Sequence, residues 1–279
     1  MEGAIKGKKT SHKIMERVKG VVDELRRNGK QPGLGIIRLG EDPDDLYYEN
    51  NIKKNARKVG VKVKVMEKPC HITTDELIEE IERMNRDDTI SGIIIFQPLP
   101  GHINKDQVAN SIDPLKDVDC IHPLNLMKIF QGDLTGFIPC TSKAVIDILI
   151  HNNVSLEGKK VVIINRSLVV GKPLAMMFLE KDATVTICHS KTKDLHKLTK
   201  EADLVVTGIG KPAYFDDKYF NENSIVIDVG MEKDESGSMA GDVDYDKVYP
   251  KVKAITPVPG GIGSITTSIL LDQVVKACK

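Results

Sequence analysis

Apolar residues along this chain fall into short solid runs that alternate with helical stripes. Ser11–Asn28 sets Ile14, Val18, Val21, Val22 and Leu25 at helical spacing, with Gly29 as a C-cap. Leu34–Leu39 predicts a short strand, closed by the turn Gly40-Glu41-Asp42-Pro43. A helix is predicted over Asp44–Lys58, capped by Gly60, then a strand over Val61–Met66. Thr73–Asn85 reads as a helix with Thr74 as its cap and Leu77, Ile78 and Ile81 inward. Ile90–Phe96 is almost wholly apolar and is stopped by Gln97-Pro98-Leu99-Pro100. Asn104–Ile112 predicts a short helix, Pro114–Thr135 a long functional loop, and Thr141–His151 a helix.

The second half repeats the alternation around Val161–Pro173, where an apolar run enters a polar turn followed by glycine and proline. A helix through Leu174–Phe178 leads to a second run, Ala183–Cys188. Strand, turn, helix, strand is the front half of a mononucleotide-binding unit. Ala202–Thr207 and Ser224–Val229 predict further strands, and Val252–Ile255 a weaker one. Glu232–Asp246, acidic and containing glycine and serine, predicts a solvated excursion. Pro257–Gly263 is too rich in glycine and proline for a core element, and Thr266–Lys279 reads as a terminal helix able to pack back on the first domain. Strand–helix alternation in both halves predicts an α/β protein of two α/β domains with parallel sheets.

Composition narrows the class. The 279 residues suffice for one large or two medium domains, and 41% apolar content supports real cores. Lys+Arg and Asp+Glu both number 40, so no basic excess points to nucleic acid. The opening MEGAIKGKKTSHK has no apolar run of a secretory signal, and no segment has the length of a membrane span. Five cysteines, none in a CxxC pair, predict free thiols in a reducing cytosol. His102, His122 and His189 lack metal-ligand spacing, so no metal is assigned.

Candidate chemistry collects where parallel strands end. The turn after Val161–Ile164 puts backbone N–H groups and Arg166 where a phosphate could sit; the alternative is a βαβ unit without a ligand. Gly208, Gly210, Gly230 and Gly260–Gly263 let backbone approach a ring or pyrophosphate, or serve turn geometry alone. After the second strand the chain has Cys188-His189-Ser190-Lys191-Thr192 in place of the acidic residue usual for NAD. That favours NADP, against the plainer reading of a solvated basic turn. Asp117-Val118-Asp119 could pair a carboxylate with a heterocycle or simply face solvent. Tyr48 could stack on a ring or pack. Ile52 follows one turn on, Lys53 and Lys54 lie off that face, and no acid or base is read onto the Tyr48 stripe.

Taken in order, several motifs resemble the methylenetetrahydrofolate dehydrogenase/cyclohydrolase family over essentially the whole chain. They are GEDPDDLYYENN, PLPGHI, KDVDCIHPLN, PCTSKA, NRSLVVGKP, TVTICHSKT, VTGIGKP, DVG and TPVPGGIGSIT. The resemblance implies an N-terminal folate-binding domain over residues 1–138, a Rossmann-like dinucleotide-binding domain over 139–265, a closing helix over 266–279, and a cleft between the domains. It implies a cytoplasmic homodimer with a tetrahydrofolate substrate and NADP, or NAD, as cofactor. Tyr48 and Asp119 would be catalytic and, with Phe96, Gln97, Pro259, Gly260 and Gly261, would bind the folate. Asn165, Arg166, Ser167, Val170, Gly171, His189, Ser190, Thr207, Gly208, Gly210, Asp228, Gly230, Gly263 and Thr266 would bind the dinucleotide.

The resemblance also implies departures. Ile52 stands at the position of the lysine used for hydrolysis, and Phe96 at that of a glutamine, with Gln97 one place later. Asn165 replaces a glycine, Asp45 a serine, and Ser142 and Ser264 prolines. Hydride transfer needs alignment and exclusion of water more than a strong base. Hydrolysis needs proton transfer, which isoleucine does not supply. The expectation is therefore oxidation of 5,10-methylenetetrahydrofolate to the methenyl form, with weak or absent cyclohydrolase activity. The alternatives are a bifunctional enzyme using Lys53 or Lys54 after a helix shift, oxidation of another small substrate, and a non-catalytic binding protein.

Overall fold

The computed structural model describes residues 3–279; Met1 and Glu2 of the opening stretch lie outside the described residues. The first elements are β1 (Gly3–Ala4), α1 (Lys8–Arg27), β2 (Gly33–Leu39), α2 (Pro43–Val59), β3 (Lys62–Lys68), α3 (Thr74–Asn85) and β4 (Gly92–Ile95). There follow α4 (Lys105–Ser111), α5 (Pro123–Phe130), α6 (Cys140–His151), β5 (Lys160–Ile164), α7 (Gly171–Leu179), β6 (Thr184–Cys188) and α8 (Leu195–Lys200). The last are β7 (Leu204–Thr207), β8 (Ile225–Asp228), β9 (Glu232–Lys233), β10 (Met239–Ala240), α9 (Tyr245–Val248), β11 (Ala254–Ile255) and α10 (Gly263–Ala277). They form two compact α/β units. The amino-terminal unit is 13–128 with 135–138 and 267–279; the carboxy-terminal unit is the stretch up to His12 with 129–134 and 139–266.

The amino-terminal unit holds a three-stranded parallel sheet in the order β3-β2-β4, with Leu34 opposite both Val63 and Gly92. Ile36, Ile37 and Ile93–Ile95 are buried, as a sheet covered on both faces requires. Helix α2 starts where Asp42 accepts from Asp44 N at 2.8 Å and stops at Gly60, whose φ of 83° suits a residue without Cβ. Helix α3 is capped by Thr73, not Thr74. Thr73 has extended backbone, and Glu76 closes a capping box by accepting from Thr73 N at 2.9 Å, while the Thr74 hydroxyl accepts from Asn104 N at 3.0 Å. The predicted long loop contains helix α5, whose apolar Leu124, Met127 and Phe130 are exposed. In α10, Gln273 Nε2 donates to Val118 O at 2.6 Å and to Ile138 O at 2.9 Å. That ties the end of the chain to the segments on either side of α5.

The carboxy-terminal unit holds a six-stranded parallel sheet in the order β1-β11-β8-β7-β5-β6. Ile164 stands opposite Cys188 on one side and Thr207 on the other, so the strands end together. Val162, Ile164, Val205, Phe215 and Val226 form its core. The start of the chain joins this sheet rather than the domain expected over 1–138: Gly3 and Ala4 pair with Ala254 and Ile255, and Ile5 N donates to Ile255 O at 2.8 Å. A two-residue strand carries no period, so its partner was invisible in the pattern. Glu232–Asp246 contains the β9–β10 hairpin, and it is not solvated throughout: Gly241, Asp242 and Val243 are buried, Asp242 with 1% exposure.

Arg38 on β2 and Glu49 on α2 are a buried ion pair at 2.8 Å, with side chains 3% and 4% exposed. Arg38 also donates to Gly40 O, and Glu49 accepts from Lys53 Nζ at 2.5 Å. Burial opposes charge on Glu49, but the bonds from Lys53 and Arg38 outweigh it and hold its carboxyl below the usual range. Arg38 has a second, more exposed partner in Glu67 at 3.1 Å, so Glu49→Ala removes the buried acceptor without leaving the guanidinium unpaired and is expected to cost about 1.5–3 kcal/mol in urea unfolding. A depressed native pKa gives stability that is lost as pH falls through the carboxylate range, so the gap to wild type should narrow in acid. A variant as stable as wild type at pH 7 would contradict this role.

Candidate active site

In the amino-terminal unit, Tyr48 on α2 meets Phe96, just after β4, with ring centroids 5.2 Å apart and planes at 39°. Phe96 is buried and Tyr48 half-buried. Gln97 is exposed and accepts from Leu99 N at 3.2 Å. Asp119 stands half-buried on the loop that hangs from β4 through the Ile93–Asp117 bridge. Asp117 itself is an internal brace. Its Oδ1 accepts from Ile121 N at 2.9 Å, and its Oδ2 from His122 N at 2.9 Å and Asn125 Nδ2 at 2.8 Å. The two aspartates, equivalent in sequence, thus do different things: one holds the loop and the other stands on it.

Ile52 is fully buried. Helix α2 is unbroken, which leaves Lys53 with Glu49 rather than on Tyr48's face. The stripe does carry an acid, contrary to the sequence reading. Asp45 lies three residues before Tyr48, on the same face by helical geometry. It is half-buried, and burial together with the neighbouring Asp42 pushes its carboxyl above the usual range.

In the carboxy-terminal unit the turn after β5 is organised by Asn165. Its Oδ1 accepts from Ser167 N at 2.8 Å and Gly171 N at 3.0 Å, and its Nδ2 donates to Gly208 O at 2.5 Å. A Cβ on Gly171 would lie 2.0 Å from Asn165 O, so only glycine closes this turn. Val170 N donates to Ser167 Oγ at 3.0 Å and Lys172 N to Ser167 O at 3.0 Å. The turn thus uses the N–H groups of Ser167, Val170, Gly171 and Lys172 within itself. Arg166 and Ser167 remain exposed, and Ser142 Oγ fixes the turn from α6 through Val169 O and Val170 O. After β6, His189 is drawn into its own turn by Lys191 N, leaving Ser190, Lys191 and Lys193 exposed.

Thr207 and Asp228 end β7 and β8 and are buried. Asp228 accepts from Gly230 N and Val243 N, both at 2.9 Å, so its carboxylate is turned inward. The turn before α10 carries Pro259, Gly260 and Gly261, with Gly260 at φ 107° accepting from Gly7 N at 2.9 Å. Gly263 and Thr266 lie in the first turn of α10, Thr266 Oγ1 donating to Gly263 O at 3.2 Å. The residue that sequence reasoning missed is Asp242, which binds the loop after β7; an aspartate inside an acidic run gives no burial signal. A groove of about 420 Å³ lined by Leu156, Lys159, Asn223 and Lys253 lies at the other, amino ends of these strands.

Exposed cations and hydroxyls after β5 and β6, with glycine turns after β7 and β8, fit a dinucleotide at the carboxyl ends of a parallel sheet. The class is therefore a two-unit α/β protein with one dinucleotide-binding unit. Comparison with known proteins agrees. Residues 5–119 match the tetrahydrofolate dehydrogenase/cyclohydrolase catalytic domain, and residues 139–279 the NAD(P)-binding domain of the same proteins. The chain belongs to the tetrahydrofolate dehydrogenase/cyclohydrolase family, and a nicotinamide dinucleotide is its cofactor.

It is 49% identical over 273 residues to the bifunctional protein FolD of Clostridium botulinum strain Langeland, covering 98% of this chain and 97% of that one. It is similar to the crystal structure of the bifunctional enzyme FolD, a methylenetetrahydrofolate dehydrogenase/cyclohydrolase from Campylobacter jejuni. That match has a TM-score of 0.96 and 40% identity, covering 99% and 98% of the two chains. A Trypanosoma brucei methylenetetrahydrofolate dehydrogenase-cyclohydrolase complexed with NADP and inhibitor aligns at TM-score 0.93 and 32% identity, covering 99% and 98%. These relatives overturn the expectation of weak or absent cyclohydrolase activity. Isoleucine at one helix position removes one route for a proton and leaves the other ionisable groups of that helix.

Burial, opposed by the Val243 N–H and reinforced by the charge of Asp242, pushes the Asp228 carboxyl up to about 7. A native pKa above the unfolded one gives stability present at low pH and lost as pH rises through the native value. The stability of wild type relative to Asp228→Asn should therefore fall between about pH 4 and about pH 7 in thermal melts and level off above. A gap that does not change with pH would contradict this burial.

Proposed function

We propose that the chain is an NADP-dependent bifunctional methylenetetrahydrofolate dehydrogenase and methenyltetrahydrofolate cyclohydrolase. The observation that carries both activities is near-half identity, over almost the whole chain, to relatives that bear the bifunctional name. NADP is favoured over NAD by Arg166, Ser190, Lys191 and Lys193, all exposed, and by His189-Ser190-Lys191-Thr192 directly after β6 in place of an acidic residue. The bound dinucleotide supplies the hydride acceptor. Asp119 fixes the folate's ring through its N–H groups, and Tyr48 packed on Phe96 offers a flat apolar wall.

Oxidation leaves a cationic methenyl bridge, which water attacks in the hydrolytic half. Attack requires loss of a proton from that water. Asp45, on Tyr48's face and with its carboxyl held above the usual range by burial and the neighbouring Asp42, is assigned as the acceptor in place of a lysine.

The test follows reduced cofactor and methenyl absorbance together, with NADP+ and NAD+ in parallel. NADP+ is expected to be reduced faster, with no build-up of the methenyl product. Stoichiometric build-up without enzyme-dependent decay would overturn the hydrolytic half, and no reduction with either cofactor would overturn the whole. Asp45→Asn should lower the ratio of hydrolysis to oxidation by about tenfold or more; an unchanged ratio would remove Asp45 from the reaction.

A further inference from the structure

Asp242 lies in the short link between β10 and α9, in a segment whose sequence suggests surface. Its carboxylate is buried and directed at the end of β7. Oδ2 accepts from Thr207 Oγ1 at 2.9 Å and Ile209 N at 2.6 Å, and Oδ1 from Lys211 N at 2.9 Å. The backbone laces the same two segments together, with Ala213 N donating to Gly241 O and Phe215 N to Asp242 O, both at 2.9 Å.

The neighbouring strand makes room for it. A Cβ on Gly230 would lie 2.4 Å from the Asp242 carboxylate, and one on Gly241 would lie 2.2 Å from Asp228 Oδ2. Asp228 in turn grips Val243 N. The two carboxylates therefore interlock, each reaching from its own segment to the other. The loops after β7 and β8 are held by one short stretch, and Asn165 adds the loop after β5 through Gly208 O. Charge-assisted bonds to backbone N–H groups are among the stronger ones available, and burial leaves them no competing water.

We propose that Asp242 is a positioning residue of the dinucleotide site, setting the place of Thr207, Gly208 and Gly210 without touching the ligand. This rests on the reading that the loops after β7 and β8 line that site. In Asp242→Asn the amide would turn an N–H₂ group toward backbone donors, which drives the loop away.

The test is steady-state kinetics of the full chain with each substrate varied. Asp242→Asn should raise the KM for NADP+ by about tenfold while the KM for methylenetetrahydrofolate stays within about twofold and kcat within about threefold. Asp242→Ser, which keeps one short acceptor and brings no N–H₂ group, should raise the NADP+ KM by about two- to threefold. Equal changes in both KM values, or a lowered melting temperature with an unaltered NADP+ KM, would overturn the proposal and leave a purely structural role. If Asp242→Asn fails to fold, the Asp242→Ser result decides by the same criterion. Hydrogen exchange of the Gly208 and Gly210 amides, which do not donate to these carboxylates, in the unaltered protein with and without NADP+ separates the two ways of failing. Absence of protection overturns the underlying site reading and the proposal with it. Protection combined with an unaltered NADP+ KM overturns the proposal alone.

Discussion

A buried carboxylate accepting backbone N–H groups is the interaction on which both units depend. Asp117 shapes the loop of the amino-terminal unit, and Asp228 with Asp242 shapes the loops of the other. Loops carry backbone polar groups that must be satisfied wherever they leave water. A strand or helix satisfies them by repetition, whereas an irregular loop needs acceptors supplied one at a time. An aspartate offers two oxygens and several lone pairs on a short stem, so one residue can fix three donors in a small space. Functional side chains on such loops inherit the rigidity of the sheet behind them.

The same economy explains why chemistry and support sit side by side. Asp117 and Asp119 are two residues apart, as are Asp228 and Gly230, and in each pair the first residue points inward. Asn165 plays this part with an amide, and it can both accept from its own turn and donate to Gly208. Its presence where the family resemblance places a glycine joins the loops after β5 and β7 by a side chain.

Much of the fold was legible in the chain. Solid apolar runs marked the buried strands of both parallel sheets, and the stripe in α1 and the turn residues around α2 marked their limits. Elements without a period were not legible: β1 has two residues, and α5 displays apolar side chains outward. At the site, the loops were found but not their internal bonds. Sequence spacing names Asp228 as a strand-end residue, and only the structure shows that its carboxylate accepts from Val243 N. Asp242 was hidden because charge in an acidic run reads as surface. Ile52 and Phe96, at the positions where the family resemblance places a lysine and a glutamine, weight the sequence toward a single activity, which the relatives correct.

The central claim, that buried carboxylates hold the site loops, is most directly tested by residue-resolved amide exchange in the protein without ligands. Ile121, His122, Ile209, Lys211, Gly230 and Val243 donate to these carboxylates and should exchange as slowly as strand amides such as Val205 or Ile94. Exchange of these six at the rate of exposed turns such as Ser236–Gly237 would contradict the account.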